Sequence, residues 1–176
     1  GCRDTMLAVS DMPRLVLENV CFDGEKRARA ILADGGVLKA NNCQFERCYD
    51  KSGGAGGSIY AKKSNLFVEN CVFKDCYVSA VGGAVYVEAA TAELITCTFR
   101  QCSGKDGGGG YFHQCTYTIL QCEFFECEAK KNCCSICFQE AEGTIGKSDF
   151  GNCSAGIAGG GIYAYCGSAG PSVFNE

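Results

Sequence analysis

The stretch GGAVYVEAATAELITCTFRQC, residues 82–102, decides the fold, because nearly the same string recurs along the chain. Its second half, CTFRQC, has counterparts in CQFERC, CVFKDC and CEFFEC; SDFGNC keeps part of the pattern and VCFDGE keeps the phenylalanine. The anchors Phe22, Phe45, Phe73, Phe99, Phe124 and Phe150 lie 23, 28, 26, 25 and 26 residues apart. Its first half, GGAVYV, has counterparts in GGSIYA, GGGGYF, CCSICF and GGGIYA. These place Tyr60, Tyr86, Tyr111, Cys137 and Tyr163 in one column, the first four of them 13 residues before the next phenylalanine. Two motifs held in fixed phase are the signature of a solenoid.

Apolar residues recur at spacing two in short runs, and Gly, Asn and Ser clusters punctuate them, so the repeats are strands and turns. There is no L-x-x-L-x-L frame, which excludes a leucine-rich repeat of similar period. Alignment on the phenylalanine gives inward columns. Seven residues before it stand Leu15, Leu38, Leu66, Ala92, Tyr117 and Gly143; five before it, Leu17, Ala40, Val68, Leu94, Ile119 and Ile145. Two before it stand Val20, Cys43, Cys71, Cys97, Cys122 and Ser148. Steps of two, three and two mean that the chain turns a corner inside the step of three. The corner column is Asn19, Asn42, Asn70, Thr96, Gln121 and Lys147; Asn tolerates left-handed backbone and can bond its own image in the next coil. In a third strand, the columns headed by Ile59 and Ala61 face in and the tyrosines between them face out. The expected fold is all-β: a right-handed parallel β-helix of about six coils of ~26 residues, three short strands each, roughly 30 Å tall. It forms a single domain over 1–176, with repeats over 15–165, and reads as a fragment or one subunit of a longer rod.

The 176 residues carry a net charge of −4 with scattered charges, which speaks against a nucleic-acid groove; EKRARA, residues 25–30, reads as a solvated loop. No apolar run is long enough for a membrane span. Sixteen cysteines point to an oxidising compartment and a disulfide-rich chain, extracellular or at the cell surface, the alternative being cysteine as a small apolar filler. Equivalent Cα atoms in neighbouring coils lie ~4.8 Å apart, within disulfide range, so the columns are expected to bridge between coils. Cys43–Cys71 and Cys97–Cys122 would use up the first column. At least one of Cys48, Cys76, Cys102, Cys127 and Cys153 in the second must stay free or pair outside it. Cys133, Cys134 and Cys137 replace the GG and Tyr of their neighbours and are read as a structural disulfide site. Cys2 and Cys166 are candidates to lock an end-to-end junction.

The paired signals GG-A/S-I/V-Y and C-x-F-x-x-C resemble the repeats of chlamydial polymorphic outer-membrane proteins, which carry a GGAI tetrapeptide and an F-x-x-N. The resemblance covers roughly residues 15–165 and implies a β-helical fold in a secreted or surface-displayed adhesive or structural passenger. Where that family has Asn three residues after Phe, this chain has Cys48, Cys76, Cys102, Cys127 and Cys153.

Candidate chemistry is sparse. The sole histidine, His113, falls in an outward column with Lys62, Glu88, Gln139 and Tyr165. Gly107 to Gly110 lacks the G-K-[ST] ending of a phosphate loop. Glycan-cleaving chemistry needs paired carboxylates, whereas Glu46, Asp75, Gln101, Glu126 and Gly151 do not repeat as one acidic column. No catalytic residue, metal ligand or cofactor is assigned. The small residues Ser58, Ala84, Gly109, Ser135 and Gly161 are expected to form, with Tyr60, Tyr86, Tyr111 and Tyr163, a flat exposed face for contact with a partner chain or glycan. The sequence thus reads as an extracellular non-enzymatic rod or adhesive module that self-associates or joins another β-helical chain. A polysaccharide-active enzyme and a glycan-binding tyrosine face are the alternatives.

Overall fold

Each residue in the corner column has a left-handed backbone: φ is 56° at Asn19, 52° at Asn42, 51° at Asn70, 52° at Thr96, 55° at Gln121 and 52° at Lys147. One such residue between two extended segments turns the chain without ending the strand pairing on either side. Two more corner columns do the same. One holds Arg47, Asp75, Gln101, Glu126 and Asn152, two residues after the phenylalanines, and the other holds Lys63, Ala89, Gln114 and Glu140. The computed structural model describes residues 5–165 and the backbone of the strand Val173–Asn175. Cys2 and Cys166 lie outside the described residues.

One coil runs Val85–Glu88, corner at Ala89, Thr91–Ile95, corner at Thr96, Thr98–Arg100, corner at Gln101, then the two-residue strand Ser103–Gly104 and a glycine turn. That last rung is a fourth segment beyond the three strands expected from the repeats. Coils stack into three wholly parallel sheets, of twelve, six and five strands, and the fold is a parallel β-helix. In two early coils the backbone stays paired through the corner, giving the long strands Arg29–Asn41 and Ile59–Glu69. A strand ahead of the first phenylalanine repeat, Thr5–Ser10, adds Leu7 and Val9 to the inward columns opposite Ile31 and Ala33. At the other end Val173–Asn175 pairs with Thr144–Gly146.

The register reproduces the aligned columns, with Leu15, Leu38, Leu66, Ala92, Tyr117 and Gly143 paired in sequence. The phenylalanines make the spine. Successive rings from Phe22 to Phe150 stack with centroids 4.5–5.3 Å apart and planes within 6°. Full burial of each inner ring contributes about 1.5–3 kcal/mol relative to exposure.

Two expectations about which side chains face solvent fail. First, Ser58, Ala84 and Ser135 are fully buried and do not join the tyrosine face. Alternation breaks there because two successive N–H groups donate to one carbonyl: those of Ala84 and Val85 to Gly109 O, at 3.2 and 3.0 Å. Such a bulge points consecutive residues the same way. The column is small because it abuts the phenylalanines; a Cβ on Gly109 would sit 2.8 Å from the Phe124 ring. Second, EKRARA is only partly a solvated loop. Arg29 is buried, and its Nη2 lies 2.6 Å from Asp50 Oδ2. The same guanidinium donates to Gly56 O at 2.9 Å and Ala55 O at 2.8 Å. It pins the turn that makes the second coil longer than its neighbours.

Candidate functional site

The glycine motif positions the tyrosines. Its first residue is left-handed in each coil, Gly56, Gly82, Gly107 and Gly159, with Cys133 at φ 53° in the remaining coil. The turn then folds back over the outward column, so that a Cβ on Gly82 would sit 3.3 Å from the Tyr86 Cβ. The tyrosines therefore face out but lie half-covered: Tyr60, Tyr111 and Tyr163 are half-buried and Tyr86 is only 8% exposed. The rings of Tyr60 and Tyr86 stack at 5.2 Å and those of Tyr86 and Tyr111 at 5.9 Å. Tyr86 Oη donates to Glu88 Oε2 at 3.2 Å, and burial pushes the Tyr60, Tyr86 and Tyr111 hydroxyls above their ordinary pKa. The broad exposed face expected from the sequence is thus a ladder of ring edges. His113 lies in register between Glu88 and Gln139 on the same strands, and Lys62 Nζ is 3.3 Å from Glu88 Oε1.

Cys133 and Cys137 form a disulfide, with Cα atoms 5.2 Å apart. Cys137 occupies the tyrosine column between Tyr111 and Tyr163. In this coil a covalent bond from turn to strand replaces the glycine–tyrosine packing of its neighbours. Cys134 takes the place of the second glycine, and its Sγ donates to Gly160 O.

The other described cysteines are thiols. The inter-coil bridges expected at Cys43–Cys71 and Cys97–Cys122 are not formed. Cα separation alone is a poor guide here: in-register parallel strands also hold the Cβ atoms about 4.8 Å apart, beyond the ~3.5–4.5 Å of a disulfide. Instead each thiol donates to the carbonyl two residues before it: Cys71 to Glu69 O at 3.1 Å, Cys97 to Ile95 O at 3.3 Å, Cys122 to Leu120 O at 3.3 Å. Ser148, in the same column, does likewise to Gly146 O at 3.0 Å. The second column behaves alike, with Cys76 donating to Lys74 O at 3.3 Å and Cys102 to Arg100 O at 3.4 Å. Burial pushes the Cys71 and Cys115 thiols up to about 12. Such thiols are poor nucleophiles, and their place is in the core.

A further aromatic column went unremarked in the sequence. Tyr49, Tyr77, Ser103, Glu128 and Ser154 stand in register one residue after the second cysteine of each repeat. Tyr49 and Tyr77 stack at 5.0 Å, beside a shallow hollow of about 460 Å³ that Asp75, Gln101 and Ser103 help to line. The strings RCYD and DCYV held the signal, which is only two coils long. The corner side chains above the hollow are polar, and Gln101 Nε2 donates to Glu126 Oε2 at 3.0 Å. No cluster of three or more His, Cys, Asp or Glu suited to a metal ion occurs among the described residues. No helix there is long and apolar enough to cross a membrane.

Parallel ladders, left-handed corners and a stacked phenylalanine spine define a β-solenoid. The family model for the right-handed β-helix region matches residues 14–175, and the chain belongs to that family. No curated protein and no solved structure matches it.

Proposed function

We propose that this chain is an extracellular, non-enzymatic β-helix that serves as a structural or adhesive rod and associates end to end. The observation that carries the reading is the state of the end coils. Among the described residues, Thr5–Ser10 and Leu15–Glu18 pair only with Arg29–Asn41, and Cys21–Asp23 only with Gln44–Glu46. Leu7, Leu15, Leu17 and Phe22 there are only half-buried, unlike their fully buried equivalents in inner coils. At the far end Ile162–Tyr165 and Asp149–Gly151 are likewise paired on one side among the described residues. Unpaired strand edges over a half-covered apolar layer are templates for another chain. Further coils of the same chain, a second copy or another β-helical chain added in register would complete both, and between copies such a contact repeats without closing. The Cys133–Cys137 disulfide supports an oxidising compartment. Sedimentation velocity over a range of concentrations, with and without reductant, tests the reading. The expected result is a concentration-dependent series of elongated oligomers. A monomer at every concentration, with its end strands protected from hydrogen exchange by its own chain, would refute it.

A further inference from the structure

In the phenylalanine column every inner ring is stacked on both faces; Tyr77 is stacked on one face only. Tyr49 covers one side, and on the other the next rung of the column is Ser103, whose side chain has no ring. The coil spacing there leaves a place about one ring thick, with the Tyr77 face as its wall. On that side the exposed Lys130 reaches back from a later coil and holds its Nζ 5.9 Å from the ring centroid. This is the outer limit of a cation–π contact, and at an exposed site such a contact is weak, so a ligand can displace it. Two hollows meet at Tyr77 and Ser103: Lys26, Tyr49, Asp75 and Gln101 help to line one, and Glu128, Lys130 and Ser154 the other.

We propose that this notch binds a neutral pyranose unit of an oligosaccharide. A pyranose has a flat C–H face suited to stacking on an aromatic ring, and equatorial hydroxyls that meet Asp75, Gln101 and Ser103 at the rim. An apolar wall with a few polar groups at its edge is the general form of a small-ligand site. A nucleobase would stack as well, but Lys26 and Lys130 are matched there by Asp75 and Glu128, so no excess of positive charge gathers to hold phosphates. Acidic sugars are disfavoured for the same reason. The site is separate from the half-covered ladder of Tyr60, Tyr86 and Tyr111, and the proposal does not rest on end-to-end association.

The chain has no tryptophan and eight tyrosines, so the Tyr77→Ala variant identifies the share of the tyrosine emission that comes from the site. Cellotetraose and chitotetraose are the probes, titrated by tyrosine fluorescence and followed by saturation-transfer NMR. Wild type is expected to bind at least one of them. Ser103→Tyr extends the aromatic ladder into the notch and is expected to weaken binding about tenfold or more without lowering Tm; Tyr77→Ala removes the wall and should weaken it as much. The variants are compared by circular dichroism, so that a loss counts only in a folded chain. Absence of saturation transfer from wild type to both probes would overturn the proposal, as would undiminished binding by either folded variant.

Discussion

Thr96 occupies the left-handed corner with a β-branched side chain, a residue type that rarely adopts φ near 52°. Its equivalents Asn19, Asn42 and Asn70 suit the position better, and Asn42 Nδ2 also donates to Asn19 Oδ1 at 2.6 Å. (Asn70 Nδ2 donates instead to Asn41 Oδ1, so the image-to-image bond is not continued.) Thr96→Asn is therefore expected to stabilise the protein by about 1 kcal/mol, or roughly 2–4 °C in Tm for a chain of this size. A melt showing no gain would mean that the threonine packs better than the corner strain costs. Cysteine in the column two residues before Phe answers two local demands at once. It is small and apolar enough for the core, and it carries a weak donor for the carbonyl beside the corner. Ser148 meets only the second demand, and it lies at a less crowded end of the rod.

Across one coil, periodicity made most of the fold legible. Leu66, Val68, Cys71 and Phe73 sit where spacing alone puts them, because a fixed parity and a single left-handed residue per corner leave no alternative register. What spacing could not show were the places where parity breaks. The bulge that turns Ser58, Ala84 and Ser135 inward has no residue signature except small size, which reads equally well as a flat outer face. Tyr49 and Tyr77 were missed because the column switches to Ser and Glu after two coils. The Cys133–Cys137 coil can be tested directly. Reduction of this short loop should cost about 2 kcal/mol in the chain-entropy account. The double substitution Cys133→Gly with Cys137→Tyr restores the first glycine and the Tyr of the neighbouring coils. It is expected to give a Tm close to that of the oxidised wild type and unchanged by reductant. A double variant that still loses Tm in reductant would place the sensitive bond elsewhere.

At the scale of the whole molecule, the buried thiols set an upper limit on pH. Burial holds Cys71 and Cys115 at about 12 against an ordinary 9.0, and it raises the Tyr60, Tyr86 and Tyr111 hydroxyls too. A group whose pKa is higher in the folded state favours folding while it stays protonated in both states. That contribution is complete below the unfolded pKa and is lost as pH rises toward the folded value. Tm, measured under argon to prevent oxidation, should therefore be flat near neutrality and fall between about pH 9 and 12. A Tm that is constant across that window would contradict the burial of the thiols. The parallel ladders carry a mechanical consequence as well. Their hydrogen bonds run along the rod axis, so tension between the two ends loads one coil at a time, as in peeling tape. Each coil released would pay out ~26 residues of slack, on the order of 90 Å of contour. A single molecule stretched by its ends should thus yield at low force in a run of similar steps, its stacked phenylalanines parting one pair after another.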